Sequence, residues 1–368
     1  MAVQAQVAFS SGIAGAGVVA GGPYFCARGD VMTALNQCMQ TFFGEPQELS
    51  LLTEAQQFAA EQVIDPLSGL EGDRVYLFSG TQDRTVTRPV VDAARDFYLA
   101  AGIEAANLRY VANVPAGHAF LAEGAPVHCG ETRPDYISDC GIDQAGDILT
   151  WLYDDLSSPV SPDPARLIEF DQGAFLPSPE AHGMDARGFA YVPAACAEGQ
   201  ICRLHIAFHG CEQTPDQIGD LYTRTTGYNR WAEANGIVVL YPQAQIIPSP
   251  PLDPFGGNPK GCWDWWGYDD RDFATRDGRQ MATIARMAAH LGAPLTAAES
   301  PGDDDDEEPL ACLRHAAFNS EHLMNGRAVF CGFGVLCARG SGEFIGPPFL
   351  ATTLFERPPG EYSTKSCE

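Results

Sequence analysis

Lysine is nearly missing from this 368-residue sequence: only Lys260 and Lys365 occur, so almost all of its 22 basic side chains are arginine. Acidic residues number 48, and the formal net charge is -26 at neutral pH. A field of that sign repels a polyanion, which excludes nucleic acid as a partner. The acidic, lysine-poor composition fits a salty habitat and fits a proteome-wide bias equally well. No run of about 18 apolar residues occurs, so nothing reads as a membrane-spanning helix. No cysteines show the two-residue spacing of a zinc knuckle, and no histidine pairs stand beside them at ligand spacing. Neither a metal nor a cofactor is therefore expected. The opening, MAVQAQVAFSSGIAGAGVVAGG, lacks the basic stretch of a signal peptide.

What is present begins with 45% hydrophobic residues, enough for a sizeable core, in a length that suits one large domain with an appendage. The 12 cysteines fall largely in close pairs: Cys26 and Cys38, Cys129 and Cys140, Cys196 and Cys202, Cys331 and Cys337. An even count in close pairs reads as a disulfide framework formed outside the cytosol. Free buried thiols in a cytosolic protein are the alternative. Cysteine usage thus points to export while the first residues carry no leader, which raises the expectation that the natural chain begins upstream of Met1.

Apolar spacing predicts helices over 2–9, 31–43, 50–63, 89–101, 143–154, 220–234 and 277–291. Short apolar strands are expected at 17–20, 74–79, 107–114, 204–208 and 237–241. Strands alternating with helices imply a mostly parallel sheet covered on both faces. Residues 294–309, in which Pro301-Gly302 is followed by four aspartates and two glutamates, read as a solvated acidic linker. They divide an α/β domain (1–293) from a small disulfide-rich C-terminal module (310–368).

Asp83 follows the strand RVYLFS in a turn, and His118 sits in a glycine-containing loop after the next strand. Acid then base, each at the C-terminal end of a strand, is the order of an α/β-hydrolase triad. Such a base takes the proton of a serine hydroxyl, and the carboxylate holds its tautomer. Read alone, a strand-end aspartate is as readily a turn former, and His118 an ordinary loop residue. His209-Gly210-Cys211 after the strand LHIAF suits an oxyanion loop in which the Cys211 amide is a donor; a tight turn with a structural cysteine is the other reading. A nucleophile elbow needs Gly-x-Ser-x-Gly. Ser10, Ser11, Ser68, Ser79 and Ser341 come nearest, and none has glycines at the required positions.

The segments GVVAGGPYFCA, FSGTQDRTV, PAGHAF, CGIDQAGDILTWLY, HIAFHGCEQ, TGYNRWAEANGIVVLYPQA and GCWDWWGY, in that order, resemble poly(3-hydroxybutyrate) depolymerases over about residues 1–292. The resemblance implies a circularly permuted α/β-hydrolase in which the oxyanion strand follows the histidine. It implies Asp83 as triad acid, His118 as base, Cys211 as oxyanion donor and Trp265 as a residue that contacts polymer. Alternation along the Trp-rich segment, and the usual burial of large aromatics, place Trp263 in the core. It also suggests a Cys211–Cys262 disulfide joining the oxyanion loop to the Trp-rich loop. In that family MAVQ-like sequence follows a Gly-Leu-x-Ser-x-Gly-Gly elbow, so Met1 is expected to be an internal methionine and the nucleophile to lie upstream.

The implied activity is hydrolysis of short-chain polyhydroxyalkanoates through an acyl-enzyme, by an extracellular, monomeric protein whose partner is an insoluble or oligomeric polyester. This polypeptide alone is expected to be inactive. A carbohydrate esterase of feruloyl or acetylxylan type and a non-catalytic polymer-binding protein are the alternatives. The tail from Asn319 resembles a short module of secreted depolymerase-like esterases, and its place after a linker suggests adsorption to polymer.

Overall fold

Short apolar strands ending in turns, separated by helices with one apolar side, fold here as α/β layers. The computed structural model describes residues 1–177, 183–253, 256–296, 313–324, 327–332, 335–339, 341, 343–346, 351–356 and 362–365. The first half comprises α1 (Ala2–Ala8), β1 (Gly15–Val19), α2 (Val31–Gln37), α3 (Glu48–Ala60), β2 (Arg74–Phe78), α4 (Arg88–Ala100), β3 (Leu108–Val111) and α5 (Gln144–Leu152). Three two- or three-residue strands, β4 (Phe120–Leu121), β5 (Val127–His128) and β6 (Ile137–Asp139), lie between β3 and α5. The second half adds β7 (Leu167–Asp171), β8 (Arg187–Tyr191), α6 (Ala194–Ala197), β9 (Arg203–Ile206), α7 (Pro215–Ile218), α8 (Leu221–Thr225), α9 (Tyr228–Asn235), β10 (Ile237–Tyr241) and α10 (Arg279–His290).

One sheet runs β1-β2-β3, all parallel, with Val18 opposite Leu77 and Leu77 opposite Tyr110. Another runs β7-β8-β10-β9; its β9/β10 pair is parallel and the other two pairs are antiparallel. Side chains alternate along a strand, and β2 sends Val75 and Leu77 to one apolar layer and Tyr76 and Phe78 to the other. Leu240 of β10 joins the first layer, and Ile237, Val239 and Tyr241 the second. Both sheets therefore share the same two layers. Helix α4 covers one of them with Val90, Val91, Phe97 and Tyr98, and α5 covers the other with Ile148 and Leu149. Each fully buried aliphatic chain of this kind contributes about 1.5–3 kcal/mol.

Disulfides join Cys26 to Cys38, Cys129 to Cys140, Cys196 to Cys202 and Cys211 to Cys262. Cys337 is bridged as well; the side chain of its expected partner Cys331, like most of the 294–309 linker, lies outside the described residues. In the C-terminal part, six short strands among the described residues form two antiparallel sheets around a small separate core that includes Leu336 and Leu354. Among the described residues no helix is long and apolar enough to cross a membrane.

Two expected helices are shorter than their apolar spacing suggested. The 31–43 segment stops at Gln37, where Cys38 is pinned to Cys26 and the Asn36 carbonyl accepts the Phe43 amide. The 220–234 segment is two helices, because Gly227 takes φ +94° between them. Only glycine adopts that conformation freely.

Candidate active site

Asp83 is delivered by β2. After Phe78 the backbone stays tied to the neighbouring loop: Thr81 N–H donates to the Val114 carbonyl at 2.8 Å, and Gln82 N–H to the Ala116 carbonyl at 3.0 Å. Gly80 passes so close that an added Cβ would sit 2.2 Å from the Ala116 oxygen, so only glycine fits there. The turn closes on its own aspartate. Asp83 Oδ1 accepts the amides of Thr85 (2.8 Å) and Val86 (3.0 Å), and Oδ2 meets His118 Nδ1 at 2.8 Å. A carboxylate oxygen only accepts, so Nδ1 carries a proton and Nε2 is the ring nitrogen left facing away from Asp83. The Asp83 side chain is 1% exposed and that of His118 is 28% exposed: the carboxylate is sealed, and the imidazole is within reach of solvent.

The His118 loop is backbone-anchored too, with Gly117 N–H on the Cys129 carbonyl and His118 N–H on Thr132 Oγ1. The Tyr136 ring stands edge-on to the imidazole, 6.2 Å between centroids. The Cys129–Cys140 bridge ties together the ends of the segment that carries Thr132 and Tyr136.

Cys211 arrives from the other sheet. β9 ends at Ile206, Ala207 N–H still donates to the Leu240 carbonyl, and the chain then turns through His209 and Gly210. Gly210 N–H donates to Gln213 Oε1 at 2.6 Å, and Gln213 Nε2 donates to the carbonyls of Asp135 (2.7 Å) and Tyr136 (3.3 Å). The Tyr136 hydroxyl donates to Glu212 Oε2 at 2.6 Å, and Lys260 Nζ pairs with Glu212 Oε1 at 3.2 Å. This pairing lowers the Glu212 pKa, the Tyr136 hydrogen bond being the main cause. Burial, then the Glu212 carboxylate, pushes Tyr136 up to about 12. Asp135 (φ +78°), Tyr136 (φ +46°) and Glu212 (φ +61°) all hold left-handed backbone, strain of the kind that concentrates at functional sites. Among the described residues no acceptor meets the Cys211 N–H.

Cys211–Cys262 then links this turn to the Trp-rich segment. Trp263 is core, 4% exposed, and its Nε1–H donates to the His209 carbonyl at 3.0 Å. Trp265 is half-buried and packs edge-on to Trp266 at 5.2 Å. Between them Asp264, buried, accepts the amides of Gly267, Tyr268, Asp269 and Asp270 and so shapes the loop. Burial raises its pKa to about 6 in spite of those four donors.

The fold thus brings Asp83 and His118 into contact and couples Cys211 to them through Gln213, Glu212 and Tyr136. Sequence reasoning named Asp83, His118, Cys211 and Trp265 but passed over the connecting residues. It also passed over Phe42 and Phe43, exposed at 77% and 62%, in a turn whose Gln40 side chain donates to the Arg84 and Thr85 carbonyls beside Asp83. Consecutive phenylalanines just before Gly44 were the available signal. An imidazole oriented by a carboxylate, on a loop tied through Tyr136 and Gln213 to a turn whose Cys211 N–H meets no acceptor among the described residues, is an arrangement suited to acyl transfer.

No family model matches the chain. It is 40% identical over 358 residues, 96% of this chain and 69% of the relative, to a poly(3-hydroxybutyrate) depolymerase of Delftia acidovorans. It is 36% identical over 302 residues to a polyhydroxybutyrate depolymerase of Talaromyces funiculosus, covering 79% of this chain and 86% of that protein. Among solved structures, a PHB depolymerase from Penicillium funiculosum aligns with TM-score 0.67 and 31% identity, over 79% of this chain and 91% of that one. A serine-to-alanine variant of a PHB depolymerase complexed with an R3HB trimer gives the same score and identity, over 89% of its length.

Proposed function

The chain belongs to the poly(3-hydroxybutyrate) depolymerase family, and from that premise we propose that it carries the acid, base and oxyanion donor of a secreted serine esterase acting on short-chain polyhydroxyalkanoates. The observation that supports this most directly is the 2.8 Å Asp83–His118 contact, with a Cys211 N–H that meets no acceptor among the described residues on the loop coupled to it. In the reaction, His118 Nε2 takes the proton of a serine hydroxyl as that oxygen attacks the ester carbonyl. Asp83 steadies the imidazolium, and the Cys211 N–H donates to the developing oxyanion. Collapse of the tetrahedral species returns the proton to the departing hydroxy-ester oxygen and leaves an acyl-enzyme, which water then clears by the same route. The disulfides fit assembly in an oxidising compartment. Trp265 is the residue we assign to polymer contact, because burial of apolar area drives association with an uncharged polyester. Residues 310–368 we assign to adsorption.

No serine of this chain sits in a Gly-x-Ser-x-Gly elbow. A triad without its nucleophile retains only the residual catalysis of the oxyanion hole and binding. The chain alone is therefore expected to release no soluble hydroxyacid from polymer above background. A chimaera with a family Gly-Leu-x-Ser-x-Gly-Gly segment ahead of Met1 is expected to do so and to stop on treatment with a serine-directed inhibitor. Turnover by the chain alone that survives the inhibitor would overturn the assignment. Preference for a feruloylated sugar would move the chain to the carbohydrate esterases.

A further inference from the structure

We infer that His209 is a positioning residue that aims the Cys211 amide; this rests on the reading of that amide as the oxyanion donor. The turn is made of two successive peptide units. In the unit between residues 209 and 210, Trp263 Nε1–H holds the carbonyl at 3.0 Å, and Gln213 Oε1 accepts the Gly210 N–H at 2.6 Å. In the next unit, the Gly210 carbonyl lies 2.7 Å from His209 Nδ1. Three of the four polar atoms are thus held by side chains. The fourth is the Cys211 N–H, which among the described residues meets no protein acceptor.

A trans peptide is planar, with its C=O and N–H pointing in opposite directions, and no cis bond occurs here. Whatever fixes the direction of the Gly210 carbonyl therefore fixes the direction of the Cys211 N–H. The fixing group is the imidazole of the preceding residue.

The far side of the ring settles its tautomer. Ala244 N–H donates to His209 Nε2 at 3.0 Å, so Nε2 must be unprotonated and Nδ1 must carry the hydrogen it gives to Gly210. The ring is 3% exposed and packs against Trp263 at 5.2 Å and Tyr222 at 6.4 Å. Burial also lowers its pKa to about 4, which keeps the ring neutral over the working range. A protonated ring would repel the Ala244 amide and lose its brace to the strand-end loop after β10. His209 is thus a cross-tie with a donor at one end and an acceptor at the other.

Nitrogen NMR of the chain itself tests the first half of this. The His209 ring is expected as the Nδ1–H tautomer, the minor form of free histidine, with Nε2 unprotonated. In His209→Phe, which keeps an aromatic ring and loses both bonds, the Cys211 amide resonance is expected to move. In His209→Asn, whose amide nitrogen can reproduce the Nδ1–H, it is expected to return toward the wild-type position. An Nε2–H tautomer, or a Cys211 amide indifferent to His209→Phe, would overturn the inference. The elbow-bearing chimaera tests the second half. Because an oxyanion donor acts in the transition state, His209→Phe should lower kcat by about a hundredfold with KM within about twofold, and His209→Asn should recover most of it. A rise in KM at constant kcat, or no rescue by Asn, would also overturn it. An inactive wild-type chimaera would instead sink the esterase reading and leave the NMR result standing.

Discussion

The two halves of the site are held in place by different means. Asp83 and His118 sit on turns fastened mainly by backbone to backbone: Thr81 to Val114, Gln82 to Ala116, Gly117 to Cys129. The 209–213 turn is fastened mainly by side chains, with His209, Gln213 and Trp263 gripping peptide units and Glu212 bridged to Tyr136 and Lys260. Backbone fastening depends little on the identity of the residues involved, whereas a side-chain brace can be removed by one substitution. The Asp83–His118 half should therefore yield mainly to changes in those two side chains or in a wedged glycine. The Cys211 half should yield to changes at residues around it.

The largest effect expected is at the reacting pair. In the elbow-bearing chimaera, Asp83→Asn keeps an acceptor for the Thr85 and Val86 amides but favours the wrong imidazole tautomer. The rate is expected to fall about ten-thousandfold with the melting temperature little changed. A large loss of stability instead would break the comparison, since the aspartate would then be a structural fastener.

The disulfides come next. Cys211–Cys262 spans a separation of 51 residues and Cys129–Cys140 one of 11. By loop-closure entropy, replacing the first pair with serines should cost about 4 kcal/mol and the second about 3 kcal/mol. Urea unfolding of the two variants measures the difference. The reverse order would mean that the short bridge on the His118 side carries more of the site than its loop length implies.

Glycines sharpen the contrast further. A Cβ on Gly80 would meet the backbone oxygen of Ala116 at 2.2 Å, while one on Gly210 would meet only the end of the Gln213 side chain, at 3.0 Å. Gly80→Ala should therefore cost about 1–3 kcal/mol, and Gly210→Ala clearly less, because a side chain can swing and a β-strand exit cannot. Equal costs would show that the oxyanion turn is as rigid as the other.

The smallest effect is the Tyr136–Glu212 brace. Tyr136→Phe should remove about 1 kcal/mol near neutral pH. The Glu212 pKa is depressed in the folded protein, so its contribution is present above the ordinary glutamate value and is lost as pH falls through the lowered one. The gap between wild type and variant should thus narrow on acidification, and an unchanged gap at low pH would assign the loss to packing.

The same contrast explains what the sequence could disclose. Asp83, His118 and Cys211 each follow an apolar strand within several residues, so hydrophobic pattern and turn chemistry singled them out as candidates, and the family resemblance supplied their expected roles. β7 and β8 escaped notice. LIEFD is a largely exposed edge strand and RGFAY includes a glycine and an alanine, so neither shows a clear apolar pattern. The long-range braces left no local trace. Gln213 and Asp135 are 78 residues apart and Trp263 and His209 are 54 apart, and each belongs to a motif that can be written down without hinting at its partner.

The scarcity of lysine has a practical sequel. Lys260 is half of the lysine complement, its side chain is 64% exposed, and its carbonyl accepts the Glu212 amide. An amine-reactive dye would find Lys260 and Lys365 as its only lysine targets, and the first places the label against the turn that carries Cys211. That chemical handle comes from composition alone, without engineering a single residue.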